Sequence, residues 1–167
     1  RWPLVEPHDA GGRYVFVHVE PECVFAMANV HLPSDPYGPY ARRDGTTDED
    51  VAVLESELRG AALAPWLKAW DAVNDAGVPL LVTGDFNAPS HRDWGTHATG
   101  HRRRPFAWPV SLAMEAHGFV DVYRAGAPER PGITWTYGFP HPRTAPDELC
   151  DRIDFVWSSP VVAVVAV

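Results

Sequence analysis

The segment V-P-L-L-V-T-G-D-F-N, residues 78–87, constrains the fold more than any other. Leu80 to Thr83 read as a buried strand, and the apolar run ends abruptly at Gly84 in an acid, an aromatic ring and an amide. Just upstream lies the clearest helical stretch, residues 46–77. Thr47 can cap it, Asp48, Glu49 and Asp50 fill its first turn, and Gly77 closes it. Val51, Leu54, Leu58 and Ala61 form an apolar stripe that Trp66, Leu67, Trp70 and Val73 continue, and Pro65 is expected to kink the helix or start a second one. A long amphipathic helix feeding a buried strand calls for a sheet with helices packed on it.

The flanking segments agree. R-Y-V-F-V-H-V-E and C-V-F-A-M-A-N-V-H-L read as a hairpin across Pro21 and Glu22. In the second strand Val24, Ala26, Ala28, Val30 and Leu32 share one face, and Phe25, Met27, Asn29 and His31 share the other, which suits an inner strand covered on both sides. V-S-L-A-M-E-A-H-G-F is a short helix, residues 121–148 alternate turns with extended pieces, and L-C-D-R-I-D-F-V-W-S-S and P-V-V-A-V-V-A-V are two more strands. The expected class is α+β, with residues 1–167 forming a single domain.

The chain is acidic, with 14 basic against 22 acidic residues and a net charge of −8. That disfavours indiscriminate attraction to polyanions but leaves room for a local basic or metal-bearing site. The terminal apolar run falls short of the roughly 20 residues a membrane span needs, and the opening residues lack the pattern of a signal peptide. Cys23 and Cys150 fit no metal motif; pairing across strands is open, and two buried thiols are the simpler expectation. The compartment is left open. The bare R-W start and the V-V-A-V end suggest a piece of a longer protein.

The chemistry-bearing residues cluster at strand ends. Two apart on an extended strand, Asp85 and Asn87 would share a direction and offer a hard oxygen ligand beside a neutral donor; an Asx-turn is the structural alternative. Gly84 permits close approach by a ligand or a neighbouring backbone. His31, in phase with Asn29, ends its strand as a proton donor or a capping residue. Asp151, Arg152 and Asp154 open an apolar strand on which Arg152 and Asp154 can share a side, either as a structural ion pair or as part of a site.

Taken in order, A-N-V-H-L-P, L-L-V-T-G-D-F-N-A-P-S, G-I-T-W-T-Y-G and D-R-I-D-F-V-W resemble the endonuclease/exonuclease/phosphatase superfamily, over nearly the whole chain from about Arg13 onward. The resemblance implies a deoxyribonuclease I-like four-layer α/β/β/α sandwich. It also implies a metal-dependent phosphoesterase acting on a phosphodiester or phosphomonoester, with Mg²⁺ as cofactor and Mn²⁺ as its alternative. On this resemblance His31 contacts the scissile phosphate and protonates the leaving group. Asp85 orients the attacking water and approaches the metal, Asn87 donates to a phosphate oxygen, and Asp154 orients a catalytic histidine. Asp151 is the second choice for that acid, Asn29 is a further candidate, and Thr134 and Trp135 shape the floor. The family's early Asn, its early metal-binding Glu and its late S-D-H are not matched, so the expected fold is incomplete, with its first strands and last strand missing. The chain alone is then expected to have negligible Mg²⁺-dependent activity. Nucleic acid is one allowed substrate, and self-association through exposed sheet edges is expected. A non-catalytic binding or assembly module retaining the fold is the alternative reading.

Two smaller signals complete the reading. His97 and His101, with His91 upstream, lack the further ligands a zinc site needs. Arg102, Arg103 and Arg104 could reach a phosphate backbone, although a solvated loop is the simpler account.

Overall fold

The computed structural model describes residues 1–95, 98, 102, 104–136 and 149–165. A six-stranded mixed sheet organises them. Strands β1 (Leu4–Val5), β2 (Val15–Glu20), β3 (Cys23–His31), β4 (Leu80–Asp85), β5 (Val120–Asp121) and β8 (Asp154–Ser158) lie in the order β1-β2-β3-β4-β8-β5. The β3–β4 pair is parallel and the others are antiparallel. β6 (Trp135–Thr136) and β7 (Cys150–Asp151) form a separate two-stranded ribbon. This is the α+β arrangement expected.

The connection from β3 to β4 carries helices α1 (Gly38–Arg43), α2 (Asp48–Glu55) and α3 (Ala61–Asp75), with a π-helical turn over Ser56–Gly60. Thr47 caps α2 by accepting the Asp50 N–H at 3.1 Å. No second helix starts at Pro65, which lies inside α3; the irregularity in the helical run sits about one turn earlier, in the π segment. A wider turn before the proline gives the ring room and absorbs the carbonyl it cannot pair.

The apolar stripe of α3, with Leu63, Leu67, Trp70 and Val73, packs on Ala26, Ala28 and Val30 of β3 and on Leu80 and Val82 of β4. Helix α4 (Pro109–Ala116) adds Val110 and Met114, and β8 adds Phe155 and Trp157. The opposite face of the sheet is open, with Met27 39% and Val156 41% exposed and Asn29, His31 and Asp154 exposed beside them. β3 is therefore covered on one side, not two, because α3 lies against the small residues of the Ala26–Ala28–Val30 face. The edge strands β1 and β5 are only two residues long, and exposed apolar side chains occur both on them (Leu4, Val5 and Val120) and on the open face (Met27 and Val156).

Four further expectations are corrected. The run read as one strand from Leu149 to Ser159 breaks at Arg152–Ile153 into β7 and β8, which belong to different sheets. The final P-V-V-A-V-V-A-V is turn and irregular chain over its described residues, since extended apolar sequence becomes a strand only where a partner strand receives it. The residues after Asp121, read as turns, begin with helix α5 (Val122–Gly126), capped by the Asp121 carboxylate on the Arg124 N–H at 3.0 Å. Cys23 and Cys150 are not joined in a disulfide, and one is exposed at the hairpin and one half-buried in the ribbon, rather than two core residues. No helix among the described residues is long and apolar enough to cross a membrane.

Candidate functional site

Strand register brings the expected residues together. His31 stands opposite Asp85 in the parallel β3–β4 pair, and Asp85 stands opposite Asp154 in the antiparallel β4–β8 pair. Directly paired residues project to the same face, so an imidazole and two carboxylates form one row on the open side of the sheet. His31 Nε2 is 3.7 Å from Asp85 Oδ2, with the imidazole 74% and the carboxylate 32% exposed.

Gly84 sets this spacing. Its φ is +134°, and a Cβ there would stand 2.0 Å from the Val30 carbonyl oxygen, so the close approach this glycine permits is that of the neighbouring strand. One row further back, the Thr83 hydroxyl lies 3.0 Å from Asn29 Oδ1 and 3.2 Å from the Ala28 carbonyl. Thr83 was not among the expected residues; its position two before Asp85 was the available signal.

Asn87 does not share the strand direction of Asp85. The strand ends at Asp85 and Asn87 takes a left-handed φ of +48°, which asparagine tolerates. Its N–H donates to Asp85 Oδ1 at 2.8 Å, closing an Asx-turn, and its Nδ2 donates to the Leu32 carbonyl at 2.8 Å. The turn and the strand end are thus one construction. Phe86, fully buried between them, packs edge-on to Phe155 and anchors the corner in the core.

The Asp85 carboxyl is held above the usual carboxylate range. Burial is the main cause and the Asp154 charge adds to it, against the Asn87 N–H, His31 and Arg59. Arg59, beneath the site, was also missed. Fully buried, it pairs with Glu55 at 2.8 Å and donates to the carbonyls of Ser34 and Pro36, fixing the loop that follows His31. Glu55 in turn accepts the Gly38 N–H, and a Cβ on Gly38 would meet its Oε1 at 2.2 Å.

Asp151 and Asp154 part company. Asp154 is exposed in the row, and its N–H and that of Ile153 donate to the Thr134 hydroxyl at 3.2 and 3.1 Å. Asp151 is fully buried, accepting from the Tyr37 hydroxyl at 2.9 Å and Trp94 Nε1 at 3.1 Å. Trp135 packs edge-on against Tyr37 and Tyr40 in the same cluster. Arg152 does not accompany Asp154; it is buried against the carboxylates of Asp93 and Asp121. His97, His101 and Arg103 lie outside the described residues. Among the described residues no three His, Cys, Asp or Glu side chains form a metal cage.

An uncharacterized protein of Caenorhabditis elegans, F14F9.5, is 32% identical over a 157-residue alignment that covers 80% of this chain and 47% of that protein. The chain thus spans about half the length of this curated relative. Similar solved structures include an endonuclease/exonuclease/phosphatase from Beutenbergia cavernae (20% identity, TM-score 0.48, covering 96% of this chain and 39% of that one). TDP2 from C. elegans matches at 13% identity and TM-score 0.47, covering 95% and 39%. An AP endonuclease from Archaeoglobus fulgidus matches at 16% identity and TM-score 0.45, covering 95% and 58%. A sequence model described as the Endonuclease/Exonuclease/phosphatase family matches residues 3–167, and the chain belongs to that family.

Proposed function

We propose that the His31–Asp85–Asp154 row is the hydrolytic centre of a metal-dependent phosphoesterase, with residues 1–167 acting as one partial domain. Family membership supports a phosphoesterase- or nuclease-type hydrolase. The observation that carries the assignment to these residues is the register that aligns one imidazole and two carboxylates on an open face.

Each residue has a role its surroundings suit. Asp85 Oδ1 is committed to the Asn87 N–H, so Oδ2 orients the attacking water. His31, solvent-accessible beside it, donates to the phosphate and to the departing oxygen. Asn87 has spent one amide N–H on Leu32 and keeps the second for a phosphoryl oxygen. Asp154 holds a neighbouring base in orientation. Asp151 serves as a scaffold for Tyr37 and Trp94.

The donor set suits a hard divalent ion. Mg²⁺ is typically held by one or two carboxylates with waters and substrate phosphates completing its shell, and Asp85 with Asp154 across from it provides that number. When bound, the ion, Mg²⁺ or Mn²⁺, neutralises charge on the phosphoryl oxygens. Nucleic acid and small phosphoesters are both within the proposed substrate range.

Hydrolysis of bis-p-nitrophenyl phosphate and p-nitrophenyl phosphate by the full gene product tests the proposal. Metal-dependent turnover should fall at least about 10²-fold in Asp85→Ala and in His31→Ala. Undiminished turnover in Asp85→Ala would overturn it.

A further inference from the structure

We infer that the Thr134 hydroxyl is a further substrate contact of the row, donating its proton to a non-bridging phosphoryl oxygen at the Asp154 end. The inference rests on the hydrolytic reading and adds to it a residue whose own bonding dictates the direction of donation.

A hydroxyl has one proton to give and two lone pairs to accept with. Thr134 Oγ1 accepts the N–H of Ile153 at 3.1 Å and that of Asp154 at 3.2 Å, so both lone pairs are taken. The proton is what the group has left to offer. Among the described residues no acceptor takes it, the Asp154 carboxylate included, and Thr134 and Asp154 are both exposed. Two N–H donors on one oxygen also polarise it, which strengthens the remaining O–H as a donor.

The hydroxyl is held in place before any ligand arrives. The Thr134 N–H donates to the Asp151 carbonyl at 3.1 Å, and Trp135 pairs with Asp151 in the β6–β7 ribbon. Asp151 is itself fully buried beneath Tyr37 and Trp94. With the backbone anchored and Oγ1 tied to two peptides, little side-chain freedom remains to be lost on binding. β8 turns the Ile153 carbonyl to the Phe86 N–H on its β4 side, at 2.8 Å, while the Asp154 N–H turns to Thr134. Thr134 therefore prolongs the His31–Asp85–Asp154 row at its outer end.

The ligand follows from the chemistry of that end. A hydroxyl restricted to donation matches neither a cation nor another donor; it matches an anionic oxygen. The two carboxylates of the row repel a phosphate, and a neutral donor beside Asp154 answers that repulsion without adding charge. Asn87, bonded to Leu32 just past β3, stands toward the other end of the row with an N–H of its own. A phosphoryl group over the carboxylates thus meets a donor on either side.

Steady-state hydrolysis of bis-p-nitrophenyl phosphate and p-nitrophenyl phosphate by the full gene product, with inorganic phosphate as competitive inhibitor, tests the inference. Thr134→Val removes the hydroxyl with little change of shape. It should lower kcat/KM by about tenfold or more and weaken inhibition by phosphate by a similar factor. Thr134→Ser keeps the hydroxyl and should restore both, with turnover referred to folded protein from thermal unfolding of each variant. A residue that merely props the Asp154 peptide would lower kcat in Thr134→Val and leave the phosphate inhibition constant unchanged. That result, or an unchanged kcat/KM, would overturn the inference while Asp85→Ala still abolished turnover. Native protein with no turnover, or turnover insensitive to Asp85→Ala, would overturn the hydrolytic reading itself and this inference with it.

Discussion

Asp85 and Asp154 face each other across the β4–β8 pair, two carboxylates in directly opposed register on the open side of a sheet. Such a pair is electrostatically unfavourable by itself, and the raised carboxyl of Asp85 records it together with burial. A raised acid binds its proton more tightly folded than unfolded. Its contribution to stability is therefore lost as pH rises from the ordinary carboxylate range through the folded value. Asp85→Asn should unfold at a higher urea concentration than the native protein at neutral pH, with the gain vanishing in acid, while hydrolysis is lost. Urea titrations across that range check the sign.

Asp154→Asn removes the opposing charge, so the Asp85 carboxyl should move down toward its usual range. Carbon-detected NMR titration of the Asp85 carboxyl in the two proteins measures this directly. The same variant should lose turnover, whereas Asp151→Asn should reduce stability by about 1–3 kcal/mol and leave turnover per folded molecule unchanged.

Arg59 and Glu55 are both fully buried, with the guanidinium also holding the Ser34 and Pro36 carbonyls. Arg59→Met strands a buried acid and should cost about 3–5 kcal/mol. Adding Glu55→Gln should recover part of the loss, as a double-mutant cycle by urea unfolding would reveal.

Gly84→Ala places a methyl group against the Val30 carbonyl and demands a φ that alanine avoids. The expected destabilisation is about 2–6 kcal/mol. Turnover of the remaining folded protein should fall as well, because the separation of β3 and β4 sets the distance between His31 and Asp85.

Much of this site was legible because period-two alternation and strand ends are local. His31, Asp85 and Asp154 were each readable as polar residues at the ends of apolar runs, and Leu67, Trp70 and Val73 as the buried stripe of α3, whereas the expectation that both faces of β3 are covered failed. What escaped depended on distant partners. The break after Asp151 exists because Arg152 turns aside to Asp93 and Asp121, 59 and 31 positions away. The inward turn of Asn87 depends on a carbonyl at Leu32, 55 positions away. α5 is too short for a periodic signal, and its cap, Asp121, is also a strand residue.

The two oxygens of Asp85 are not equivalent. One is tied at 2.8 Å to the peptide of Asn87 and the other points toward His31. Tethering of this kind removes the rotor's freedom before any substrate arrives, so the aim of the second oxygen costs no torsional entropy at the moment of use. Glutamate, one methylene longer, cannot hold that tether and the same aim at once, and Asp85→Glu should behave as a charged but misdirected acid.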